Sequence, residues 1–207
     1  MENVLNLCGD IAAEPTASHE SHGAVFYTFP LRVLRLSGTE DLPNVIAPEA
    51  MLKRFTAGDR VRIFGQIRSY SRRTETGNRL LISAWARSVE AAAGEPYDNR
   101  VSLTGTVARP PIYRCTPYGR EITDVMLACE RPIPPQTVQD GASRPKPRCD
   151  YIPCVTWGSV ARLCAGFDPH TRVSFTGRFQ SRPYTKIVDD IPTERIAYEV
   201  SVAEMRS

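Results

Sequence analysis

One short stretch of this chain occurs twice. Asn3-Val4-Leu5-Asn6-Leu7-Cys8-Gly9-Asp10-Ile11 returns about 96 residues later as Asn99-Arg100-Val101-Ser102-Leu103-Thr104-Gly105-Thr106-Val107. The register persists through Pro15 and Pro111, Leu31 and Leu127, and Arg35 and Arg131. After an insertion in the second copy it resumes: Arg60-Val61, Gly65 and Ser69 correspond to Arg172-Val173, Gly177 and Ser181, and Arg79-Leu80 to Arg195-Ile196. Solenoid units run only about 20 to 50 residues, so a match over half a chain marks a duplicated domain. The expected domains are 1–94 and 98–207, the second carrying a proline-rich insertion at 131–149.

A chain of 207 residues suits two domains of ordinary size, each large enough for a core. With 42% hydrophobic and 24% charged residues the composition is globular, and no apolar run is long enough to cross a bilayer. Glu2 and Asn3 open a terminus without a basic and apolar signal sequence, so the expected location is cytosolic. The six cysteines include no Cys-x-x-Cys pair, which argues against a zinc ribbon. Cys149 and Cys154 fall on one strand and should point to opposite faces. All six are expected as reduced thiols, several of them buried.

Period-two alternation bounded by Gly, Pro and Asn gives the coarse structure. The first copy reads as strands at 3–12, 24–36, 42–46, 59–70 and 79–89, and the second at 99–108, 121–131, 149–157, 171–182 and 194–204. Each copy has one short helical segment between its third and fourth strands. At 48–55, Pro48 suits the first turn and Met51, Leu52 and Phe55 share a face. At 160–165, Ser159 can cap a segment whose Val160, Leu163 and Cys164 align. Five strands with a helix after the third is the OB-fold order, so the expected class is all-β, two tandem five-stranded Greek-key barrels. Gly9 and Gly105, midway along the first strand of each copy, suit the bulge or tight bend that a small coiled barrel needs, and Gly65 and Gly177 recur at matching places on the fourth strand.

Of the 26 basic residues only Lys53, Lys146 and Lys186 are lysines. Arginine pairs bidentately with phosphate and stacks on flat π surfaces, so the bias is either a solvated arginine-rich surface or, where arginines cluster beside aromatics, a sign of anionic, planar partners. Residues 1–98 carry eleven basic and twelve acidic residues and the remainder fifteen and eleven, a balance of −1 against +4. Residues 109–120 interleave Arg109, Arg114 and Arg120 with Tyr113 and Tyr118. That loop is either a proline-stiffened turn or a nucleic-acid contact. The equivalent loop of the first copy, 14–23, has no arginine and no aromatic residue.

These residues carry a family resemblance. The second copy resembles bacterial single-stranded DNA-binding proteins of the SSB type through 99–105, Met126-Leu127-Ala128, Asp150-Tyr151-Ile152-Pro153-Cys154-Val155-Thr156-Trp157-Gly158 and Gly177-Arg178-Phe179-Gln180-Ser181-Arg182. The first copy is similar more weakly, through 3–9, 27–33 and Gly65-Gln66-Ile67-Arg68-Ser69-Tyr70. The resemblance implies two SSB-like OB domains in one chain and sequence-tolerant binding of single-stranded DNA in replication, recombination or repair. Unpaired bases offer π-faces, so aromatic platforms hold them at about 1–3 kcal/mol per stacked base while a basic groove follows the phosphates.

By that resemblance Tyr151 and Trp157 stand where stacking aromatics are placed at the two ends of the third strand, and Tyr184 matches the aromatic of the loop between the last two strands. Tyr151 and Trp157 share one face, which is either groove or core. The expected nucleic-acid contacts are Tyr151, Trp157, Tyr184, Tyr113, Tyr118, Arg114, Arg120, Arg178, Arg182 and Lys186, joined in the first copy by Arg68, Tyr70, Arg72 and Arg73. Leu42 stands where the second copy has Tyr151, and Trp85, within an alternating strand, reads as core. The first copy therefore either continues the DNA path with arginines or serves assembly.

The insertion, with Pro132, Pro134, Pro135, Pro145 and Pro147 beside Arg144, Lys146 and Arg148, reads as an extended loop that folds over bound strand or does nothing. Asp189 and Asp190 read as a hairpin loop. The chain ends shortly after its last strand without the acidic tip typical of the family, which puts recruitment of replication or recombination proteins in doubt. Two barrels per chain, against the four common in the family, point to a homodimer, with a monomer as the alternative. His19, His22 and His170 lie in loop-like stretches, and without a phosphate loop, nucleophile elbow or metal cluster the chain is expected to be no enzyme and to need no cofactor or metal. The competing readings are an RNA-binding OB protein and a primosome or recombination accessory scaffold acting through protein contacts.

Overall fold

The computed structural model describes residues 2–74, 77–131, 148–188 and 191–206. The first half runs β1 (Asn3–Ile11), β2 (Thr16–Ser21), β3 (Ala24–Leu34), β4 (Glu40–Asp41), β5 (Asn44–Pro48), α1 (Glu49–Leu52), β6 (Arg60–Thr74) and β7 (Gly77–Ala91). The second runs β8 (Asp98–Val107), β9 (Ile112–Cys115), β10 (Glu121–Glu130), β11 (Cys149–Trp157), α2 (Gly158–Ala165), β12 (Arg172–Val188) and β13 (Ile191–Arg206). Residues 132–147 of the insertion, and Asp189 and Asp190, read above as a hairpin loop, lie outside the described residues.

Each half closes into the same barrel. β1 pairs with β6 from Leu5 to Asp10 and then with β3 at Asp10 and Ile11, while β5 lies parallel to β7. β8 likewise pairs with β12 and then β10, while β11 lies parallel to β13. At the crossing no side chain fits: a Cβ on Gly9 would meet the Arg32 carbonyl oxygen at 2.4 Å, and one on Gly105 that of Ala128 at 2.4 Å. In each barrel the ladder between the last two strands shifts register instead, opposite Phe64/Gly65 and Thr176/Gly177, where β7 and β13 each carry one extra residue, Arg87 and Ala203.

Alternation puts Leu5, Leu7, Phe29, Leu31, Ile63 and Ile67 into one interior and Leu103, Leu127, Ile152, Phe175 and Phe179 into the other. Burying a side chain of this size contributes about 1.5–3 kcal/mol. Four of the six cysteines are buried and all six are free. Burial pushes the Cys129 thiol up to about 12 and that of Cys154 well above its ordinary range, which leaves both unreactive.

The structure departs from the sequence reading where the apolar period gives no signal. β2 and β9 are exposed strands pairing with β3 and β10 rather than loops. β6, β7, β12 and β13 continue beyond the barrels as two-stranded ribbons, because backbone pairing persists after the core-facing period ends. α1 is shorter than 48–55, with Pro48 before its first turn rather than in it. α2 starts at Gly158, whose φ of 56° turns the chain out of β11, and Ser159 does not cap it.

The halves are joined by β1 and β8, antiparallel, with Asn3 opposite Leu103, Leu5 opposite Val101 and Leu7 opposite Asn99. Leu5 and Val101 occupy the same place in the repeat, so an approximate two-fold axis passes through this pair. Asn3 exchanges hydrogen bonds with the Ile67 backbone, and Asn99 does so with Phe179.

Two related latches flank the axis. In one, Asp150 accepts from Arg131 (2.6 and 2.9 Å), from Arg68 (3.2 Å) and from the Ser69 amide (2.6 Å). In the other, Asp41 takes a bidentate pair from Arg35 (2.5 and 2.8 Å), and Arg35 also donates to Gln180 of the second half (3.2 Å). Ser69 accepts the Tyr151 amide (2.8 Å) just as Ser181 accepts that of Leu42 (2.9 Å). Both carboxylates are fully buried.

A third cluster belongs to the first half alone. Asp10 accepts from Arg60, from Arg32 (2.9 Å) and from the Tyr97 hydroxyl (2.7 Å). Burial alone would raise its pKa, but these partners together bring it down to about 2. Thr106 occupies the equivalent place in the second half.

Candidate nucleic-acid interface

β11 resolves which face Tyr151 and Trp157 share. Ile152, Cys154 and Thr156 are buried, whereas Tyr151 and Trp157 are 47% and 41% exposed and flank Pro153 and Val155 on the outward side. Their aromatic faces are therefore open to a ligand. Trp157 lies opposite Ile122 on β10, and its indole N–H donates to Ser201 of β13 at 3.3 Å. Tyr151 sits beside the first half, its backbone fixed by Ser69. One barrel thus positions an aromatic of the other.

β9 brings Arg114 alongside this face, opposite Ile122, while its neighbour Tyr113, opposite Thr123, points to the other side of the sheet. Arg114 pairs with Asp124 at 3.0 and 3.2 Å, and the Tyr113 hydroxyl donates to Glu121 at 2.8 Å, which holds its pKa above the usual range. Tyr118 and Arg120 project from the following turn, Tyr118 almost fully exposed. Tyr184 is half-buried on β12, opposite Arg195. Arg182 reaches the buried Glu199 at 3.2 Å, and Gln180 shares that carboxylate at 2.8 Å. Lys186 pairs with Thr193 through its backbone, and its side chain lies outside the described residues.

The other arginines divide. Arg68 is taken up by Asp150 and its pKa is lowered, chiefly by burial, so it serves the latch. Arg178 is half-buried near Arg35; burial and then that like charge lower its pKa, and its Nε is buried without a partner among the described residues. Tyr70, Arg72 and Arg73 are exposed on the β6 ribbon.

One residue read as core is not. Ile82, Ala84 and Ala86 of β7 point inward, and Trp85 lies between them on the outward face, half-buried and apart from the core. It contacts Phe26 (centroids 4.8 Å apart) and His19 (6.1 Å), and His19 stacks on Phe26 at 5.0 Å and 7°. The sequence carried a signal for this, because Ser83 and Arg87 share the parity of Trp85.

Among the described residues no group of histidine, cysteine or acidic side chains could hold a metal ion. The profile of the "Single-strand binding protein family" matches residues 98–207. The single-stranded DNA-binding protein of Halalkalibacterium halodurans is 33% identical over 87 residues, 42% of this chain and 48% of that protein. Single-stranded DNA-binding protein 2 of Listeria innocua is 32% identical over 107 residues, 51% of this chain and 60% of that protein. The chain spans about half the length of the curated relatives it matches. Among solved structures, the wild-type single-stranded DNA binding protein from Thermus aquaticus superposes with a TM-score of 0.73 over 99% of this chain and 92% of that one, at 16% identity. A likeness at that identity shows the fold, two tandem OB barrels.

Proposed function

For a chain that belongs to the single-strand binding protein family, we propose that these barrels hold single-stranded DNA without reading its sequence and so protect it during replication, recombination or repair. The observation that carries the reading is the pair of open rings, Tyr151 and Trp157, on the outward face of β11. Base planes stack on them and on Tyr184, while Arg114, Arg120, Arg182 and Lys186 supply charge for the phosphates. No covalent step is involved and the protein acts by binding. Two chains associate, giving four barrels, and the protein works in the cytoplasm at the nucleoid.

Titration with oligo(dT), followed by tryptophan fluorescence at several salt concentrations, tests this. Tight binding with quenching, weakening as salt rises through counterion release, is the expected result. Equal affinity for duplex and single strand, or none for either, would overturn it. Stronger binding of oligo(rU) than of oligo(dT) would move the assignment to RNA. Light scattering of the free protein tests the dimer, which a monomer mass would exclude.

A further inference from the structure

Equivalent ladder positions in the two barrels carry different residues. In the second, Trp157 faces Ile122 on β10, and its neighbour across the parallel ladder is Ser201, paired with Val155. In the first, Phe26 faces Pro48, and Ile46 pairs with Trp85. Pro48 therefore stands where Trp157 does, and Trp85 stands where Ser201 does. Each barrel keeps one tryptophan on its outward face, but on different strands.

Around Trp85 the outward face of the first barrel is aromatic. Phe26 of β3 and His19 of β2 close it into a cluster of three mutually contacting rings, of which His19 is the exposed one. A second, independent feature adjoins it. Arg87, two residues along β7 and on the same face as Trp85, lines an open cleft of about 410 Å³ with Lys53 and Arg54 from the end of α1. All three cations are exposed, and Glu90 is the one acid among the lining residues. Half-buried rings with the exposed His19 among them, beside a cationic cleft, match what a nucleotide strand presents, a base plane next to a phosphate.

We infer that this face of the first barrel is a second stacking platform for single-stranded nucleic acid, with His19, Phe26 and Trp85 receiving bases and Lys53, Arg54 and Arg87 the phosphates between them. The inference rests on the function proposed above and assigns the first barrel a direct share of it, not assembly alone. A strand crossing both barrels then meets Trp157 on one and Trp85 on the other.

The chain has only two tryptophans, which makes the test specific. Trp157→Phe leaves Trp85 as the sole indole, and Trp85→Phe leaves Trp157. Both full-length variants are titrated with oligo(dT) of about 30 nucleotides, long enough for two OB barrels. Saturable quenching of Trp85, with the midpoint followed by Trp157, is the expected result. Quenching of Trp157 with Trp85 emission unchanged at saturation would overturn the second platform and leave the proposed function standing. Absence of binding by either variant and by the unaltered protein would overturn the function itself, and the inference with it. His19→Ala and Trp85→Ala, checked for folding by circular dichroism, should each weaken binding of the long oligomer about 5-fold or more while leaving an oligomer of about 8 nucleotides unaffected. Unchanged affinity for the long oligomer would count against the platform. If Trp85→Ala fails to fold, the quenching experiment still decides.

Discussion

The two halves share a barrel and differ in what they spend it on. In the second, the outward face of β11 carries Tyr151 and Trp157, and β9 adds Arg114. In the first, Leu42, just before β5, and Pro48 at its end take those places, and the aromatic rings come from β2, β3 and β7. The latches differ too: Asp150 binds two arginines, one from each half, whereas Asp41 binds one. The lesson is that a duplicated barrel constrains its interior and its crossing glycines far more than its outward face, where aromatic residues change strand without disturbing the core.

The largest expected effect concerns the latches. Asp150→Ala leaves two guanidinium groups and the Ser69 amide without their carboxylate, and removal of one partner of a buried pair costs about 3–5 kcal/mol. Asp41→Ala should cost less, since Arg35 keeps Gln180. Thermal or urea unfolding measures both, and a reversed order would break the comparison.

On the binding side, Trp157→Ala and Tyr184→Ala should each lose about 1–3 kcal/mol of oligo(dT) affinity and more than any single aromatic change in the first half. Equal losses would erase the asymmetry between the two platforms.

Asp10 gives a pH test confined to the first half. Its pKa falls from 3.8 to about 2 on folding, so its contribution is complete above the unfolded value and is lost as pH drops toward the folded one. Unfolding free energy should decline by about 2 kcal/mol over that window, and Asp10→Asn should flatten the decline. An unaltered slope would show that other carboxylates carry it. The smallest effect is expected for Arg114→Ala: its pair with Asp124 is partly exposed and contributes about 0–1 kcal/mol to stability, so only the salt dependence of binding should change clearly.

Much of this architecture was legible in the sequence. The repeat gave the two barrels, alternation gave the main strands, and parity placed Tyr151 and Trp157 on one face. The exposed strands β2 and β9 were missed because they bury nothing and so carry no apolar period. Trp85 was misread because its strand, Leu80-Leu81-Ile82-Ser83-Ala84-Trp85-Ala86-Arg87, is apolar at both parities near its start, which hides the polar side. Arg68 could not be told from a phosphate contact, since its partner Asp150 lies in the other half and no local spacing announces it.

The pairing of β1 with β8 makes this chain a dimer of unlike members. In an association of identical subunits every substitution is made in both grooves at once, and a change that helps one contact is imposed on its mate. Here each groove has its own codons. A lineage carrying such a chain can tune one binding surface while the other holds its function, and the exchange of tryptophan between Trp157 and Trp85 is what that freedom permits.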